Sequence, residues 1–158
     1  LSVTDMLPNK FEPKRNYRWV LAIEGIDSFL ITKANRPTIT MTDKKIDFIN
    51  SYRRVSGKLE FGDLSVTLHD PIAPSGAQQV MEWIRTHYES VSGRAGYADF
   101  YKRDIQLKML DPIGTVIELW DIKGCLLTNI NYQTLAYDGD DIQMIDLTIK
   151  FDNCVLQF

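Results

Sequence analysis

The side chains able to do covalent or metal chemistry are few in this chain, and they are scattered. Histidine occurs only at His69 and His87, and cysteine only at Cys125 and Cys154. A zinc site needs several nitrogen or sulfur donors brought together at short spacing. His87 has no cysteine or carboxylate at helical ligand spacing, so it reads as a packed histidine on an apolar stripe. His69-Asp70 could form a dyad with Ser65 or Ser75, but no strained nucleophile turn supports one. Ser92-Gly93-Arg94-Ala95-Gly96 could cradle a phosphate beside Arg94, yet it follows a predicted helix and so faces the wrong end of the dipole. Asp140 and Asp141 lie in a predicted turn, where two carboxylates stay solvated. No GxGxxG, Walker loop, HExxH, CxxC or GxSxG is present. We therefore expect no enzyme, no cofactor and no metal.

The composition agrees with that expectation. The chain has 158 residues, 44% hydrophobic and 25% charged, with a net charge of −3. This is the size and balance of one ordinary folded domain. The acidic balance lacks the basic footprint of a nucleic-acid reader. Two distant cysteines suggest apolar core fillers in a reducing compartment, with a single disulfide as the alternative. No run of 18 apolar residues offers a membrane helix. The opening Leu1-Ser2-Val3-Thr4-Asp5 has no basic segment followed by an apolar core, so no signal peptide is expected.

The elements that must position these residues are mostly strands. Residues 1–16, with Pro8 and Pro13, read as an extended N-terminal arm before one domain over 17–158. Trp19, Leu21 and Ile23 share one face of a first strand. Gly25 fits a tight turn that returns Ser28–Lys33 as a hairpin partner. Residues 42–58 read as a protruding excursion; over 44–58, Lys44, Lys45, Arg53, Arg54 and Lys58 stand against Asp47 alone. Leu64, Val66 and Leu68 alternate with Ser65 and Thr67. Ser75 with Gln78 marks a helix start, and Gly93 a stop. Between them Val80, Trp83, Ile84, His87 and Val91 form the stripe that packs this helix on a sheet. Asp111-Pro112-Ile113-Gly114 suits a type I turn between two strands. Leu126–Leu135 and Ile142–Phe151 read as two more strands, joined by the acidic turn at Asp138, Asp140 and Asp141. The sum is an antiparallel β-sandwich or barrel with one packed helix.

This order of elements resembles the tail tube proteins of contractile-tailed bacteriophages. The resemblance rests on Tyr17–Ile23 after an arm, on Lys33-Ala34-Asn35-Arg36-Pro37 leading into a loop that ends at Arg54, and on Leu64–Asp70 before a helix carrying Val80-Met81-Glu82-Trp83. It ends on the alternating Ile145–Asp152. It implies hexameric rings that share a continuous inner β-barrel and stack into a hollow tube. It also implies that phage DNA passes through the lumen without sequence-specific binding. Tail sheath, baseplate and tape-measure proteins would be its partners. The place of action would be the virion, assembled in the host cytoplasm. A baseplate tube initiator and a type VI secretion tube subunit share the same pattern. A flavin-binding split barrel and a lectin-like module are rivals of another kind.

One expectation joins the charge pattern to the rings that this resemblance implies. The basic excursion at Lys44, Lys45, Arg53 and Arg54 would meet the acidic turn at Asp138, Asp140 and Asp141 across a ring-to-ring joint. Opposite charges there would fix register and steer stacking.

Overall fold

The computed structural model describes residues 12–73, 75–88, 92–97 and 101–158. Among the described residues nine strands and one long helix follow one another, with a single helical turn at Ser28–Leu30: β1 (Trp19–Ile23), β2 (Ile31–Ala34), β3 (Ile39–Asp47), β4 (Tyr52–Phe61), β5 (Leu64–His69), α1 (Gly76–His87), β6 (Arg103–Leu110), β7 (Val116–Tyr132), β8 (Met144–Lys150) and β9 (Asn153–Leu156). Seven strands make one antiparallel sheet in the order β1-β6-β7-β8-β5-β2, with β9 also on β7. Among the described strands, β3 and β4 pair only with each other.

The sheet owes its shape to β7. Two separate strands were expected over Thr115–Leu135; instead 17 residues run as one. Its first part pairs with β6 on one side and β9 on the other, and its last part pairs with β8. It therefore serves two half-sheets, β1-β6-β7-β9 and β7-β8-β5-β2. The corner lies at Gly124, whose φ of +67° is a left-handed conformation that favours glycine. There β7 carries an extra residue against β6. Facing it, Asp152 joins β8 to β9, donates its N–H to Lys123 O, and pairs with Lys102 at 2.7 Å. That bond holds the Lys102 ammonium above its ordinary range.

Alternation puts Leu64, Val66 and Leu68 of β5 and Ile145, Leu147 and Ile149 of β8 on one buried face. Leu21, Ile23, Ile105, Leu107 and Ile122 from the other half-sheet join the same core. Each such side chain contributes about 1.5–3 kcal/mol when fully buried. The expected hairpin of β1 with the segment after it does not form. Gly25 does take the turn, at φ +82°, but β1 pairs with β6 while β2 pairs with β5. The turn thus carries the chain from one half-sheet to the other.

Helix α1 begins as expected, with the Ser75 side chain accepting from Gln78 N and Asp70 Oδ1 accepting from Ala77 N. Val80 and Trp83 are buried in the core, and Ile84 packs at its edge. Trp83 also donates its indole N–H to Tyr101 O at 2.7 Å and lies 4.9 Å beneath the Arg103 guanidinium. The helix stops at His87, six residues short of Gly93, because Tyr88 turns extended and Gly96 N bonds to His87 O. His87 itself is exposed, a correction to its reading as a buried histidine; its ring stacks on Tyr101 at 4.5 Å. Val91 lies outside the described residues.

Candidate functional site: free edges, a polar face and two charged ends

The half-sheet β7-β8-β5-β2 carries the features available for contact. One face is core, with Leu127 and Ile130 under α1. The other face is polar: Lys33, Ser65, Thr67, Asn129, Asn131, Asp146, Thr148 and Lys150 lie on it, exposed or half-buried. Thr67 donates to Asp146 Oδ1 at 2.9 Å across this face. Both outer edges are open: among the described strands none pairs with the far side of β2, or, beyond Leu126, with the side of β7 turned away from β8. Each of the three pairings is antiparallel, so β2 and β7 run in opposite directions. A second copy could therefore set its β7 against β2 and continue the alternation. Beside β2 lies an open cleft of about 490 Å³, lined by Tyr17, Trp19, Val20 and Ile31 among others.

The excursion expected over 42–58 is a hairpin from Ile39 to Phe61. Its residues are exposed except Phe61, whose ring sits 5.4 Å from Phe151 and anchors the root. Register separates the four expected contact residues. On one face Arg54 pairs with Asp43 at 2.6 Å, Lys45 with Asp47 at 3.7 Å, and both cations lie over the Tyr52 ring. The opposite face carries Lys44 beside Val55 and Arg53 beside Ile46. Lys44 and Arg53 make no ion pair with a described residue.

Asp138, Asp140 and Asp141 are exposed in the turn between β7 and β8. This turn sits at the His69–Met144 end of the half-sheet, whereas the hairpin springs from the end marked by Ala34, Leu64 and Ile149. Within one subunit the two charged segments are thus at opposite ends.

Asp70 and Ser75 are occupied in capping α1. Cys125 and Cys154 are free and buried, and burial pushes the Cys125 thiol up to about 12. Sequence reasoning missed Glu118, which is buried on the inward face of β7. The signal was a charge on the inward phase of Val116, Glu118, Trp120 and Ile122.

No protein-family model matches the chain, and no curated protein does. Solved structures do match. The tube-terminating cap of the anti-feeding prophage superposes at a TM-score of 0.76, with 16% identity over 99% of both chains. A chain of the extended sheath–tube complex of the PVC extracellular contractile injection system gives 0.69, with 13% identity over 99% of this chain and 98% of that one. The chain has the contractile-tube fold. Hcp1 from Flavobacterium johnsoniae shares this tube fold at 0.53, with 10% identity over 89% of this chain and 95% of its own.

Proposed function

We propose that this chain is a tube-type structural subunit of a contractile injection apparatus. Copies join edge to edge into a ring, and rings stack into a hollow tube. The observation that carries this is the half-sheet with two open, oppositely directed edges and one polar face. An open edge invites pairing, and a closed ring removes every edge. Four strands from each of six copies would make a 24-stranded wall, with α1 outside and the polar face inward. The resemblance to phage tail tubes supports DNA as cargo and a virion as the setting, with a tape-measure protein in the lumen. The sheath–tube neighbour supports a sheath protein as partner, and the resemblance to phage tail tubes supports baseplate proteins.

Stacking of rings follows from the two charged ends. Rings related by translation bring the hairpin end of one against the turn end of the next. In this reading Lys44 and Arg53, which make no ion pair with a described residue of their own subunit, meet Asp138, Asp140 and Asp141. Lys45 and Arg54 serve the hairpin itself.

Negative-stain electron microscopy of the concentrated protein tests the reading. Rings and tubes are the expected result; monodisperse globules under all conditions would sink it. Rings that never stack would mark a cap or a tube-initiating ring instead. Lys44→Glu with Arg53→Glu should leave folded rings that no longer stack. Polymerisation of that variant at low salt, where charge repulsion is least screened, would exclude the electrostatic joint.

A further inference from the structure

Glu118 is the feature that the tube reading leaves without a role. It faces inward from β7, opposite Met109. It is the one charged residue buried among those described, at 5% exposure. Its Oε2 has Lys14 Nζ at 3.4 Å and Arg36 Nη1 at 3.7 Å. That oxygen nevertheless accepts no hydrogen bond from a described residue. Two half-exposed cations share one buried carboxylate, and neither has closed into bonding geometry. One well-seated cation would balance its charge, and an unbalanced carboxylate there is expensive.

The two cations belong to different parts of the molecule. Lys14 lies in the segment ahead of β1, whose Asn16 and Tyr17 flank the cleft at the open edge of β2. Arg36 precedes Pro37, which restricts it to extended backbone. Pro37-Thr38 then opens the hairpin root, closed by Gly62 N donating to Thr38 O at 2.8 Å. Movement of Arg36 is therefore movement of the root.

We infer that Glu118 is a latch between the cleft and the hairpin. A strand of a second copy entering the cleft displaces Asn16 and Tyr17 and withdraws Lys14. Arg36 then closes on the carboxylate and fixes the hairpin root. The identity of the entering strand rests on the tube reading. Lateral pairing would thus precede stacking.

Hydrogen exchange followed by mass spectrometry on the dilute subunit tests this. Lys14→Ala imitates that withdrawal. It should slow exchange at the hairpin root about tenfold, the worth of one charged hydrogen bond gained. Arg36→Ala should speed exchange there and cancel the effect of Lys14→Ala when the two are combined. Glu118→Gln should cancel it too; if that variant does not fold, the Arg36 pair alone decides. An unchanged hairpin in Lys14→Ala, or the same change when Arg36 is absent, would overturn the latch. This readout needs no ring, so the latch can fail while rings form, and rings can fail while the latch holds.

Discussion

Replacement of Gly124 by alanine should loosen the corner of β7. Two effects add. The backbone there is left-handed, which costs an L-residue about 1–2 kcal/mol. The new Cβ would also run into the Asp152 carboxylate, which must swing away. Its ion pair with Lys102 is partly exposed and contributes about 0.2–1 kcal/mol. Restricting the unfolded chain returns about 0.4–1 kcal/mol. The net loss is about 1–2 kcal/mol, or a melting point lower by roughly 2–8 °C for a chain of this size. Urea unfolding followed by circular dichroism measures it directly. Gly124→Asn should lose less, because asparagine tolerates this conformation better. Asp152→Ala in the Gly124→Ala background should lose less than the two single losses summed, since the clash is gone. A Gly124→Ala midpoint equal to the parent's would show that the corner does not depend on a left-handed residue.

Trp83→Phe should lose about 1 kcal/mol with the indole bond to Tyr101, and Trp83→Ala about 3–5 kcal/mol as a cavity opens under α1; chemical denaturation reads both. Cys125 should resist a thiol reagent until the protein unfolds, as a time course with and without urea would show. Its raised value also sets an alkaline limit. The unfolded thiol ionises above about pH 9 while the folded one stays protonated to about 12, so stability falls with rising pH across that window, by up to about 1.4 kcal/mol per unit. A flat stability profile from pH 9 upward would contradict this. Arg54→Ala should speed exchange in the hairpin and leave global stability within about 1 kcal/mol, because the pair with Asp43 is exposed.

Strands whose two faces differ were the ones readable from sequence. In β5 and β8 apolar and polar residues alternate because one face meets the core and the other does not. The cap at Ser75 and the Asp111 turn were equally plain: Asp111 Oδ1 accepts from Ile113 N and Thr115 N. The hairpin's full length was hidden, since β3 and β4 are exposed on both faces and carry no period. The continuity of β7 was hidden for another reason. Its bulge at Gly124 shifts the phase, so Ile122 and Cys125 both face the core three residues apart. The separation of β1 from β2 depends on distant partners, β6 and β5, which no local pattern names. Sequence located the charged segments now proposed to stack; only register told Arg53 from Arg54.

In the proposed tube the half-sheet also sets a calibre. Four strands at about 4.8 Å spacing supply about 19 Å of wall from each copy. Six copies would line a perimeter of about 115 Å, a backbone bore of about 37 Å before strand tilt widens it. Each copy added or lost would change that bore by about 6 Å. Since β2 and β7 run in opposite directions, the strand alternation closes for any number of copies. The gauge of the conduit is then decided by the angle between neighbours, and a substitution that bends the β2 edge would change the width of what can pass.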